Sequence, residues 1–68
     1  MLLPTRLKEL RNEKGYTLKH VADQLQTTVR SICRYESGER EPSIEMLIRL
    51  CNLYDVSADY LIGRTDSY

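Results

Sequence analysis

TLKHVADQLQTTVRSICRYESG, residues 17–38, is the stretch that decides how this chain folds. Leu18, Val21, Ala22 and Leu25 recur at three- and four-residue spacing, which predicts a short amphipathic helix. Thr17 stands just before it, where a hydroxyl can accept from one of the unpaired backbone N–H groups of a helix start. Gln26-Thr27-Thr28 breaks the apolar stripe, and Thr28 offers the same cap to a second helix running to about Ser37. Gly38 suits the left-handed residue that ends such a helix.

On that second helix each residue advances by about 100°, so every position can be placed relative to Ile32, the most apolar one. Tyr35 and Glu36 fall within about 60° of Ile32, whereas Arg30 and Arg34 lie roughly 160° away with Ser37 beside them. Two arginines one turn apart repel, at a cost of roughly 0.2–0.5 kcal/mol in an isolated helix. A solvated charged face is one reading of such a pair. The other is a face that meets an anionic, hydrogen-bonding surface such as a DNA groove. Two short helices joined by a three- or four-residue turn form a helix-turn-helix unit, and that context favours the groove.

Working outward, MLLP reads as a short tail (residues 1–4), with Pro4 or Thr5 starting a helix of about Thr5 to Lys14. Leu7 and Leu10 point inward, Arg11 lies beside their stripe, and Gly15 is the stop. An unpaired buried charge is costly, so Arg11 and Glu36 either pair with each other or reach out to water. After Gly38, EREP is a loop, and Ser43 caps a fourth helix whose core face is Ile44, Leu47, Leu50, Cys51 and Tyr54. Asp55 ends it, although aspartate adopts the left-handed conformation less readily than glycine. Ser57 caps a last helix from Ala58 to about Ile62, followed by Gly63 and a polar tail (64–68). The expected fold is all-α, a compact five-helix bundle in one domain over residues 5–63.

Sixty-eight residues allow one small core. No apolar run approaches the ~20 residues of a membrane span, and no secretory leader is visible. Cys33 and Cys51 lack a zinc-like pattern around the single His20, so reduced thiols in a cytoplasmic protein are expected, with no metal and no cofactor. Cys51 reads as a small hydrophobe. Cys33, at the flank of the second helix of the unit, leaves room for a redox role, but no thiolate-stabilising surroundings can be read from the sequence. No Ser/His/Asp set or phosphate-cradling loop is present, so an enzyme is not expected. Net charge is zero, yet residues 1–40 carry eight Lys/Arg against five Asp/Glu, or +3, and residues 41–68 carry two against five, or −3. A low total charge predicts modest non-specific affinity for nucleic acid and a shallow salt dependence.

From Arg6 to Arg64 the chain resembles the phage Cro and repressor-type (XRE-like) helix-turn-helix family. The matching pieces are RLKELRNEKGYT, VADQL, SICRYESGEREPS and VSADYLIGR, in the family's order and spacing. The resemblance implies a lambda-repressor-like DNA-binding domain and a sequence-specific regulator of transcription, most readily a repressor. It also implies a bacterial or phage-encoded protein at the nucleoid. By position, Val29, Arg30 and Arg34 would read base edges, and Arg11, Thr17, Thr28, Ser37 and Arg40 would hold phosphates. An Arg11–Glu36 ion pair is implied as well, with Arg11 also reaching a phosphate. Family members often pair through their carboxy-terminal helices, which nominates Tyr54, Val56, Tyr60, Leu61 and Ile62 for a homodimer interface, with a wholly core placement of Leu61 and Val56 as the alternative. With no sensing domain expected after residue 68, a signal would arrive through a regulatory protein partner, degradation or concentration. Three positions depart from the family: Leu18 where Gln is common, Gln26 where the turn usually has Gly, and Glu39 where a basic residue would help. Together with the neutral charge, Glu39 leaves a second reading open, that of an antitoxin-like protein-interaction module with secondary DNA binding.

Overall fold

The computed structural model describes residues 2–68, which form α1 (Leu3–Lys14), α2 (Leu18–Gln24), α3 (Val29–Ser37), α4 (Ile44–Tyr54) and α5 (Ala58–Ile62). Helices this short are marginal alone, so their ends and their packing hold them. Four begin at a side-chain cap. Thr17 accepts from the His20 N–H, Thr28 from Ser31, Ser43 from Met46 and Ser57 from Tyr60. Four are followed by a left-handed residue, namely Gly15, Gly38, Asp55 and Gly63.

α3 is the central element. It packs on both α1 and α2, while α5 bridges α1 and α4. Leu3, Leu7 and Leu10 of α1, Val21 and Ala22 of α2, Ile32 and Tyr35 of α3, Leu50 and Tyr54 of α4 and Leu61 of α5 form one buried cluster, joined by Leu25 and Val56. Withdrawing each large apolar side chain from water contributes about 1.5–3 kcal/mol, and truncations in so small a core are felt in full.

Four features differ from the sequence expectation. α1 starts at Leu3, two residues before Thr5. Proline is tolerated in a first helical turn, where its missing N–H has no partner to lose. Leu3 gains burial in a crevice with Pro42, Leu47 and Ile62. Residue 1 of the expected tail lies outside the described residues. Second, Ile44 was expected in the core face of α4 but is 80% exposed, and Ile48 one turn later is 55% exposed. Leu50 and Tyr54 face inward, and that turns Ile44 and Ile48 away. Third, Tyr54, Val56 and Leu61, nominated for a dimer interface, are at most 8% exposed and belong to the core of the single chain. Their spacing marks an apolar face but cannot say whether the chain itself or a second copy covers it. Tyr60 and Ile62 remain partly exposed.

Fourth, the polar tail is tied down. Arg6 donates to the carbonyls of Tyr60 and Thr65, pairs with Asp66 at 2.8 Å and lies 4.1 Å over the Tyr60 ring. The Ser57 N–H donates to the Tyr68 carbonyl at 2.8 Å, and the Tyr68 hydroxyl donates to the Glu13 carboxylate. That hydrogen bond raises the phenol's pKa above its ordinary value.

Gln26 and Asp55 have φ values of +55°, which side-chain-bearing residues adopt at a cost. Replacing Gln26 with glycine is expected to stabilise the domain by about 0.5–1 kcal/mol, raising the melting midpoint by several degrees. Thermal unfolding followed by circular dichroism checks this. A lower midpoint would show that Gln26 makes compensating contacts.

Candidate nucleic-acid interface

The inner side of α3 is anchored before its outer side can be used. Arg11 of α1 meets Glu36 at two points, Nε to Oε2 at 2.8 Å and Nη2 to Oε1 at 3.1 Å. Its Nη1 donates to the Tyr16 carbonyl at 3.2 Å. The two side chains are only 14% and 8% exposed, so each charge needs the other. The hydrogen bond to Glu36 raises the Arg11 pKa further, and the guanidinium stays charged. Tyr54 lies beneath the pair, and burial first and the Glu36 charge second push its hydroxyl up to about 12. Tyr16, half-buried between α1 and α2, stacks on Tyr54 at 6.3 Å and meets the His20 ring at a tilt, 4.6 Å between centroids.

Ile32 and Tyr35 point inward, and the opposite side of α3 is turned to solvent. Val29 is 41% exposed, Arg30 is exposed, and the Arg34 side chain is 37% exposed. All three are therefore accessible within six consecutive residues of one helix, Arg30 and Arg34 as a ridge on the side away from Ile32 and Val29 at the helix start. Arg34 differs from Arg30 in one respect: its Nε lies 3.2 Å from Glu39 Oε2. The other nominated positions divide. Arg40 is exposed in the loop after α3 and has no carboxylate at ion-pair distance among the described residues. Thr17 and Thr28 are exposed but use their oxygens as helix caps. Ser37 donates its hydroxyl to the Arg34 carbonyl at 3.1 Å, so in this structure it helps close α3. Arg11 has committed Nε, Nη1 and Nη2 to protein acceptors, which leaves two of its five N–H groups.

A shallow cleft between α1 and α3 is lined by Lys8, Arg11, Leu18, Cys33, Glu36 and Ser37. It adds Lys8, which sequence reasoning passed over. The signal was present, because Lys8 precedes Arg11 by three residues and therefore shares its side of α1. Leu18, where the family often has glutamine, lines the same cleft with an apolar side chain. Cys33 is exposed there, while burial raises the pKa of Cys51 and keeps that thiol protonated. Among the described residues no group of three or more His, Cys, Asp or Glu could hold a metal, and no helix is long and apolar enough to cross a membrane.

Removing one partner of the Arg11–Glu36 pair leaves the other charge stranded. Glu36→Ala is expected to destabilise the domain by about 3 kcal/mol, and Arg11→Met in the same chain to recover part of that loss. Chemical denaturation of the single and double variants checks this, and additive losses would mean that the pair is solvated.

Comparison with known proteins fits this geometry. A helix-turn-helix family model matches residues 7–61. The regulator ImmR of Bacillus subtilis is 42% identical over 66 residues, which cover 97% of this chain and 52% of ImmR. The cryptic phage CTXphi transcriptional repressor RstR of Vibrio cholerae is 33% identical over 64 residues, or 94% of this chain and 57% of RstR. A crystal structure of a transcriptional regulator from Listeria innocua superposes with a TM-score of 0.86 at 33% identity, covering 97% of this chain and 62% of that one. The chain thus spans about half the length of the curated relatives it matches. That family is one of regulators and not of enzymes, and on sequence, helix order and three-dimensional form this chain belongs to it: the XRE-type helix-turn-helix family of transcriptional regulators.

Proposed function

We propose that the domain reads double-stranded DNA for a transcriptional repressor that works at the bacterial nucleoid, in the cytoplasm. α3 enters the major groove, and occupancy of an approximately palindromic operator excludes the transcription machinery. The observation that carries this reading is the ridge of Arg30 and Arg34 on the side of α3 away from Ile32, with Val29 exposed at the start of the same helix. Arginine can bond guanine O6 and N7 together, and valine can cover a thymine methyl group. Arg40 and Lys8, with the two free N–H groups of Arg11, supply phosphate contacts around that ridge, and Thr17 and Thr28 flank them. Ser37 joins them only by giving up its bond to the Arg34 carbonyl. These contacts set register without reading sequence.

Two recognition helices about 34 Å apart would match successive major grooves, which calls for a homodimer. With Tyr54, Val56 and Leu61 committed to the core, the exposed aliphatic pair one turn apart on α4, Ile44 and Ile48, bordered by Leu47 and Ile62, is the apolar face we assign to it. We take a second copy of the chain as the occupant of that face, because an operator with two half-sites needs two recognition helices.

The competing reading, an antitoxin-like module that chiefly binds a protein, is favoured by the zero net charge and by the carboxylate of Glu39 beside Arg34. Salt-dependent shift assays on genomic fragments discriminate. Tight sequence-dependent DNA binding by the purified chain supports the operator reading, whereas a co-purifying protein and only weak, uniform DNA binding support the other.

Arg30→Ala is expected to weaken the selected site by about 1–3 kcal/mol while barely changing affinity for random duplex. Equal losses on both would reduce Arg30 to a phosphate anchor. Ile48→Glu is expected to yield monomers in sedimentation and to cost a two-half-site operator about 100-fold, with a single half-site little affected. A dimer that survives the substitution would move the interface elsewhere.

A further inference from the structure

Glu39 sits beside the outward side of α3, and the way that helix ends determines its position. Gly38 turns left-handed with φ of 82°, and the Glu39 N–H then donates to the Arg34 carbonyl at 3.0 Å. This is the six-to-one bond of a Schellman ending, in which the residue after the glycine usually makes an apolar contact with the helix residue whose carbonyl it reaches. Here that contact is an ion pair, with Glu39 Oε2 3.2 Å from Arg34 Nε. Ser37 tightens the same corner, donating to the Arg34 carbonyl at 3.1 Å and accepting from the Glu39 N–H at 3.4 Å. Arg30, the other arginine of the ridge, has no such partner among the described residues.

We propose that Glu39 is a positioning residue for base reading: held by the α3 cap, its carboxylate orients the Arg34 guanidinium toward a guanine. The inference rests on the reading of α3 as the recognition helix. A carboxylate at Nε engages one side of the guanidinium, and the fork of Nη1 and Nη2 remains for guanine O6 and N7. An arginine already held in place loses less rotamer freedom when it meets its base, so the correct contact forms at lower entropic cost. The same negative charge opposes phosphate on any duplex and weakens binding to all sequences alike. Glu39 therefore lowers general affinity and raises discrimination, a combination in which an apparent defect of the interface serves specificity.

The two effects are separable. An operator is first selected from random-sequence duplexes with the wild-type chain. Wild type, Glu39→Gln, Arg34→Ala and the double variant are then titrated against that operator and against random duplex at one salt concentration. Both side chains are at least one-third exposed, so folding is expected to be unaffected, and thermal melting confirms it. Glu39→Gln is expected to bind random DNA about two- to fivefold more tightly and to lose about three- to tenfold of the operator-to-random preference. That loss of preference disappears in the Arg34→Ala background. In the free protein, nitrogen-15 NMR is expected to show a shifted Arg34 Nε resonance in Glu39→Gln. An unchanged or larger preference in Glu39→Gln, or the same loss without Arg34, overturns the proposal and leaves Glu39 only a charge that opposes phosphate. A wild-type chain that selects no operator, or an Arg34→Ala variant with wild-type preference, instead removes base reading by Arg34, and the proposal with it.

Discussion

The two-point contact between Arg11 and Glu36 is the constraint on which the rest of this domain depends. It joins α1 to α3 where both helices are otherwise closed by apolar packing. A lone arginine or a lone glutamate at that depth would be costly, so neither helix can rotate or slide without stranding a charge. The third donor of Arg11 reaches the Tyr16 carbonyl and extends the tie to the chain entering α2. The angle at which α3 leaves the body, and hence which of its residues face outward, is therefore set by a charge pair as much as by leucine and isoleucine contacts.

Around that tie, the small size of the domain puts unusual weight on helix ends. Helices of five to twelve residues leave a large share of their backbone groups without intrahelical partners. The chain answers with a Ser or Thr at four starts and left-handed residues after four ends. Two left-handed positions are filled by Gln26 and Asp55, and strain is stored there. Arg6 closes the far side by gathering the carbonyls of Tyr60 and Thr65 with the Asp66 carboxylate, which draws the end of the chain onto α1.

Charge shapes function more subtly than the net value of zero suggests. The basic excess lies in the part of the chain containing α1 to α3, and the acidic excess in the part containing α4 and α5. Such an arrangement favours one orientation toward a polyanion without strong general attraction. Within the ridge, Arg34 has a carboxylate beside it and Arg30 has none at ion-pair distance among the described residues, so the two guanidinium groups are chemically unequal before any ligand arrives. ImmR and RstR are about twice as long as this chain, and what they share with it is the part containing the helix-turn-helix.

Local chemistry was legible in the sequence. Caps at Thr17, Thr28, Ser43 and Ser57, stops at Gly15, Gly38 and Gly63, and the side of α3 carrying Arg30 and Arg34 all follow from rules that span a few residues. The Arg11–Glu36 contact was also within reach, because two charges on apolar stripes of packed helices have few other partners. Only the tertiary structure decided which apolar side chains the chain covers by itself. Leu3, Tyr54, Val56 and Leu61 went inside, and Ile44 and Ile48 stayed outside. It alone decided that Arg6 would hold the tail and that Glu39 would meet Arg34. Periodicity tells which residues share a side of a helix, but not which neighbour lies against it. A contact across several elements, or around a left-handed turn, exists only once the path of the backbone is set.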